Sequence, residues 1–377
     1  MRKYYDLRNI LNADADINII DGAREMGKSW AVCEYALTRS YKTYGKEGGI
    51  AYLRRKDKQM RTIDVESYVK DALVEKVTHG EYSTIVVKRG MGYFASPRGI
   101  DAEGKAVWAL SDYPVIKGFA VTNADDYKSL NFKFDTAIYE EYQTIDGYLQ
   151  DEPEKLMSIY STLKRGCPER FKMFLVANTI CRINPYVNFF GMTNYNKQKK
   201  GTIDRYKLYT GLFDDNGNET YITIAREYSD LTADGKTSDE AVELMSKHDK
   251  RKRMSLMITR GDWQETHTYP TMRYQDIQQL GAPEYVVYML YENSAFKISW
   301  YWDNVMLFPY IVPHKIAVPE DARIISPDHI YLSPLFTKSF KPLSEGERVL
   351  FNTLKDHARF CDNLAGNEFF AALKNLC

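Results

Sequence analysis

Residues 22–29 read Gly22-Ala23-Arg24-Glu25-Met26-Gly27-Lys28-Ser29, a complete G-x-x-x-x-G-K-[ST] phosphate-binding loop. An apolar run, Ile17-Asn18-Ile19-Ile20, precedes it, and a stretch of helical spacing, Trp30 to Leu37, follows. Strand, glycine turn and helix start aim backbone N–H groups at phosphate oxygens. Lys28 is expected to reach the β- and γ-phosphates of ATP, and Ser29 to hold Mg²⁺. Such a loop needs a carboxylate near the metal and a base that orients water, both at the end of an apolar strand. Ala137-Ile138-Tyr139-Glu140-Glu141 supplies them: Glu140 for Mg²⁺, Glu141 for the attacking water. Asp135 precedes that run and belongs at the wrong end of the strand. The next strand ends at Ala177-Asn178, where a polar residue can sit beside the γ-phosphate or simply make a turn. Arg24, inside the loop, can contact phosphate or clamp a carboxylate. Arg165 and Arg170 lie just before the strand of 171–178, where an arginine can serve a neighbouring subunit's γ-phosphate.

The elements that must position these groups alternate. Over the first ~200 residues, apolar runs alternate with helical stretches, the pattern of an α/β sheet. Strands are expected at 49–53, at 136–139 and at 171–178, with a helical segment over 59–77. A hairpin is expected at 83–88 and 92–95, and a further strand at 107–110. Composition shifts near residue 196, and a polar helix is expected over 237–259. Residues 1–199 are thus read as the phosphate-loop domain, 200–262 as a linker region and 263–377 as a smaller second domain. In that domain, strand-like runs at 285–291, 296–302 and 305–311 precede helical segments at 344–358 and 363–376.

Composition limits the partners. Lys plus Arg equals Asp plus Glu, at 51 each, so any nucleic-acid surface must be local. Two short basic clusters offer one: Arg54-Arg55-Lys56-Asp57-Lys58 and Lys250-Arg251-Lys252-Arg253. No apolar run approaches the ~20 residues of a membrane span, and no secretion signal core is read at Met1 to Tyr5. The cysteines, five in all and without C-x-x-C spacing, fit free thiols in a reducing compartment.

The phosphate loop, Tyr52-Leu53-Arg54-Arg55, Glu140-Glu141, and Ala177-Asn178 followed by Ile183-Asn184-Pro185-Tyr186 and Phe189-Phe190 resemble the DNA-packaging (encapsidation) ATPases of small podophages. These belong to the additional-strand, catalytic-glutamate branch of P-loop ATPases and are related to large terminases. The resemblance is specific over 17–192 and loose beyond 200. It implies Lys28 and Ser29 in the phosphate and Mg²⁺ roles, Glu141 as catalytic glutamate and Asn178 in the coupling motif. Glu140 stands where the family pattern has Asp, one methylene shorter. Arg165 corresponds to a trans-acting arginine finger, with Arg170 as runner-up. Lys128 corresponds to a lysine at the subunit boundary, near the neighbour's nucleotide. The resemblance also implies a ring, of five subunits, at the portal of a prohead in the host cytoplasm. That ring pumps double-stranded DNA, in some relatives with a structural RNA. The C-terminal domain is implied to be RNase H-like. The strand of 285–291 carries no central acid, and Glu292 and Asp303 lie at its end and in a turn, so no cleavage activity is expected. Two other readings stay open: a terminase-like nuclease with an ATPase front end, and a nucleotide-binding assembly protein of slow turnover.

Overall fold

The run Ile17-Asn18-Ile19-Ile20 opens β1 (Ile17–Gly22), whose six residues are all buried. Burial on both faces explains why it lacks the in–out alternation of a half-exposed strand. The computed structural model describes residues 4–23, 26–42, 49–57, 68–101, 103–128, 133–144, 147–167, 171–178, 183–214, 216–231, 269–292, 294–314, 318–326, 336–337, 342 and 344–376. The polar helix expected at 237–259, the cluster 250–253, and Arg24, Glu25 and Arg170 lie outside them.

β1 sits inside a ten-stranded sheet. Its partners are β2 (Ile50–Arg54), β3 (Thr84–Lys88), β4 (Met91–Ile100), β5 (Ala106–Leu110), β6 (Ile116–Ala120), β7 (Thr136–Glu140), β8 (Lys172–Asn178), β9 (Thr202–Phe213) and β10 (Glu219–Tyr228). The order is β3-β4-β6-β2-β7-β8-β1-β10-β9, with β5 on β4. From β6 to β10 the pairing is parallel. The carboxyl ends of β1, β2, β7 and β8 therefore share one edge, where ligands of open α/β sheets bind.

Helices α2 (Lys28–Lys42) and α3 (Asp71–Val77) cover one face of the sheet, burying Val32, Leu37, Leu73 and Val74 against Ile20, Tyr52 and Ile138. On the other face lie α4 (Glu152–Gly166) and α5 (Pro185–Phe189), with Leu156, Ile159 and Tyr186 packed on Ile19, Tyr139 and Leu175. A short α1 (Arg8–Leu11) precedes β1, and a 3₁₀ helix, Val121–Tyr127, follows β6.

The expected linker differs in its first part. Residues 202–228 are β9 and β10, and β10 pairs with β1 from Ile17↔Ile224 to Asp21↔Tyr228. Their outer halves are largely exposed, and that polarity reads as linker in sequence.

The second sheet holds β11 (Tyr285–Tyr291), β12 (Ser294–Trp302), β13 (Leu307–His314), β14 (Arg323–Ile325), β15 (Phe336–Thr337) and β16 (Arg359–Phe360). Its order is β15-β14-β11-β12-β13-β16. The first three strands are antiparallel, and β14 and β15 continue parallel beyond β11. The sheet is thus mixed, antiparallel at its centre and parallel toward β15. A short α6 (Tyr274–Gln278) precedes it. Helices α7 (Glu345–Asp356) and α8 (Asn363–Leu376) follow, and Phe351, Leu354 and Phe369 pack on Trp300, Phe296 and Ile298. α7 starts with a true cap, the Ser344 hydroxyl accepting from the Glu347 N–H.

Candidate nucleotide site

Two glycines shape the loop for different reasons. Gly27 has φ +91°, a left-handed conformation that glycine adopts without strain. At Gly22, a Cβ would stand 3.0 Å from the Met26 sulfur and 3.1 Å from Ser229 Cβ. Lys28 then begins α2. Its buried ammonium donates to the carbonyls of Gly22 (3.1 Å) and Ala23 (2.5 Å), and to Asn178 Oδ1 (3.4 Å). The register Gly22↔Asn178 between β1 and β8 makes that last contact. Asn178 thus stands beside the lysine of the loop.

Glu140 ends β7 and is half-buried. Its Oε1 accepts from the Tyr68 hydroxyl (3.4 Å), and the carboxylate shares a cavity wall with Ser29, so the extra methylene does not take it away from the loop. Burial raises its pKa, and the nearby Ser29, Arg54 and Lys28 oppose the rise. Ser29 and Glu140 line a cavity of about 410 Å³ together with Trp30, Tyr52 and Tyr68. This hydroxyl–carboxylate pair beside a buried lysine is an oxygen donor set of the type Mg²⁺ takes.

Glu141 stands just past the strand at φ 56°, with its N–H donated to the Val176 carbonyl (2.8 Å). Its carboxylate is more than half exposed and accepts from Arg54 Nη2 at 2.6 Å. Asp135 is buried at the opposite end of β7, where Arg39 lies 3.5 Å from it, as expected of an acid at the wrong end.

Arg54 and Arg55 require a correction. They were expected in a surface cluster for a phosphate backbone, yet both are buried. Arg55 donates to both oxygens of Glu152 (2.7 and 3.0 Å) and to the carbonyls of Glu141 and Tyr142. Of that cluster's described residues, Lys56 is the exposed basic one.

Arg165 and Lys128 come together, but not at the loop. Arg165 is exposed near the carboxyl end of α4, and its Nη2 donates to the Lys128 carbonyl (3.4 Å). Lys128 pairs with Asp125 at 2.6 Å. The adjacent Lys164 reaches Asp16, at the foot of β1 (3.0 Å). The 15 residues of α4 span about 22 Å, so Arg165 stands near the edge where the strands begin.

Sequence reasoning missed Asp21 and Arg226. Asp21, the residue before Gly22, is wholly buried and accepts from Arg226 Nε (2.7 Å), the Tyr142 hydroxyl (2.7 Å) and Gln143 Nε2 (2.8 Å). The one available signal was an acid closing an otherwise apolar strand. In the second sheet, Glu292 accepts from Asn188 Nδ2 (3.0 Å), and Asp303 lies 3.4 Å from Arg359. Among the described residues no group of three His, Cys, Asp or Glu is gathered to hold a metal, and no helix is long and apolar enough to cross a membrane.

Burial pulls the Lys28 ammonium down to about 8, against the attraction of Asp21 and Glu140. A bound phosphate favours the charged form, so nucleotide affinity is expected to hold from pH 7 to near 8. It should then fall by about fivefold between pH 8 and 9. Isothermal titration of ADP across this range measures it; an affinity flat to pH 10 would leave Lys28 at the ordinary lysine value.

A parallel sheet flanked by helices, with a glycine loop running from its central strand into a helix N-terminus, defines a P-loop protein of the α/β class. The chain belongs to the podovirus DNA encapsidation protein (Gp16) family, whose profile matches residues 1–210. It is 29% identical over 192 residues to the DNA packaging proteins of Bacillus phages phi29 and PZA, a match covering 50% of this chain and 50% of each relative. The matched stretch is thus about half the length of those curated relatives. Among solved structures, the bacteriophage Phi-29 viral genome packaging motor assembly contains a chain with the same fold. There the TM-score is 0.55 at 18% identity, over 98% of this chain and 99% of that one. The Phi-28 gp11 DNA packaging motor gives 0.51 at 15%, over 99% of both.

Proposed function

We propose that this chain is an ATPase that drives double-stranded DNA into a phage prohead as a ring, with each ATP site shared between neighbouring subunits. The observation that carries this reading is the separation of two half-sites. Lys28, Ser29, Glu140, Glu141 and Asn178 gather at one edge of the sheet, while Arg165 stands exposed near the opposite edge. An arginine about 20 Å from its own phosphate loop serves a neighbour's site more readily than its own. Family membership, and relatives that are DNA packaging proteins, support the same reading. The ring implied by the resemblance has five subunits and sits at the portal vertex in the host cytoplasm.

In this reading Lys28 and the loop amides bind the phosphates, and Lys28 holds its proton against the γ-phosphate. Ser29 and Glu140 would hold Mg²⁺, which would supply charge neutralisation on the phosphates. Glu141 orients water for attack on the γ-phosphate, and Asn178, touching Lys28, senses whether that phosphate is present. Arg165 of the next subunit, with Lys128 beside it, closes the site, so binding tightens the subunit interface and phosphate loss releases it.

The test is ATP hydrolysis by the purified protein with prohead and linear DNA. Arg165→Ala and Glu141→Gln are each expected to be inactive, and mixtures of the two to regain turnover at sites that pair an intact glutamate with an intact arginine. Hydrolysis indifferent to DNA and prohead would favour the assembly-protein reading. Wild-type turnover in Arg165→Ala would remove Arg165 as the finger.

A further inference from the structure

The buried charge pair Asp21–Arg226 costs more than an apolar pair of the same volume, unless something else requires it. Its geometry suggests what does. Asp21 immediately precedes the phosphate loop, and Tyr142 and Gln143 immediately follow Glu141. One carboxylate oxygen of Asp21 takes both of their side chains, at 2.7 and 2.8 Å, while the other takes Arg226 Nε. Arg226 Nη1 is fixed in turn by Gln198 Oε1 (2.6 Å), and its guanidinium lies 3.8 Å from the centre of the Tyr195 ring.

Glu141 itself is in a left-handed conformation, which costs a non-glycine residue about 1–3 kcal/mol and persists only where its surroundings impose it. Four attachments hold it here. The Glu141 N–H is tied to β8, its carbonyl to Arg55, its carboxylate to Arg54 on β2, and the next two side chains to Asp21 on β1. The Asp21 attachment joins the glutamate segment to the strand that carries the phosphate loop.

We propose that Asp21, Tyr142, Gln143 and Arg226 form a positioning cluster for ATP hydrolysis, fixing the Glu141 backbone relative to the phosphate loop. Tyr142 is its most testable member. The inference rests on the ATPase reading and adds residues that touch neither phosphate nor water.

The test compares Tyr142→Phe with Tyr285→Phe in the full chain. Tyr285, on β11 of the second sheet, also donates its hydroxyl to a carboxylate, that of the buried Glu347 at 2.6 Å, and neither residue touches the Glu141 segment. Each variant loses one hydrogen bond to a charged acceptor, so similar falls in melting temperature are expected. Tyr142→Phe is expected to lower kcat about tenfold with KM for ATP within about twofold, the sign of a contact used in the transition state. It should also speed hydrogen exchange at the Glu141 amide. Tyr285→Phe should do neither. Equal kcat and equal exchange at Glu141 in the two variants would overturn the proposal. A wild-type chain that does not hydrolyse ATP would instead overturn the ATPase reading, and the exchange rates would still show whether Tyr142 holds Glu141.

Discussion

Glu141→Gln is expected to lower ATP turnover by about 10²–10⁴-fold while leaving nucleotide affinity within a few fold. The size of the effect follows from what the substitution leaves intact. Glutamine keeps a carbonyl oxygen that can accept from Arg54 Nη2, now at 2.6 Å from the carboxylate. It also keeps the N–H bond to Val176 and the side-chain bonds of Tyr142 and Gln143 to Asp21. The segment therefore stays in place, and only the negative charge that draws a proton from water is lost. Lys28 and Ser29, the groups proposed for phosphate and Mg²⁺, lie on α2 and are untouched. A single-turnover measurement with the variant separates binding from chemistry. If the variant hydrolyses bound ATP at the wild-type rate, the base lies elsewhere, and Glu140 becomes the group to replace next.

Residues whose meaning is local were legible in the sequence. The loop 22–29 carries its own spacing, and Glu140, Glu141 and Asn178 are marked by the apolar strands they close. The sheet then brings them together, because parallel strands end at one edge. Residues whose meaning depends on a distant partner were not legible. Arg54 and Arg55 look like a solvated basic face until Glu141 and Glu152, far along the chain, are placed beside them. Asp21 and Arg226 meet across 205 residues, and Arg226 lies on a strand whose neighbours are polar enough to read as linker. The parallel extension of the second sheet depends on β14 and β15, three and two residues long. Runs that short have no periodicity to detect.

Glu152→Ala should destabilise the first sheet by about 3–5 kcal/mol, the range for breaking a buried ion pair by removing one partner. Glu152 is wholly buried at the start of α4. Its two oxygens accept from Arg55 Nε (2.7 Å) and Nη2 (3.0 Å), the hydroxyls of Tyr139 (2.8 Å) and Tyr186 (2.8 Å), and the Leu149 N–H (2.9 Å). Removing the carboxylate leaves a buried guanidinium uncompensated, with two tyrosine hydroxyls deprived of an acceptor. Against a total stability of about 5–15 kcal/mol for a typical domain, that loss is a large fraction. Arg55 also holds the Glu141 and Tyr142 carbonyls, so the damage reaches the Glu141 segment. The companion variant Arg55→Met/Glu152→Leu distinguishes pair energy from general packing loss. It removes both charges and keeps most of the volume, so urea denaturation should show it more stable than Glu152→Ala. If the double variant is no better, the loss lies in packing around α4 and not in a stranded charge. If it recovers stability but not ATP turnover, Arg55 is retained for its hold on the Glu141 and Tyr142 carbonyls, because an apolar pair can fill the space but cannot donate to them.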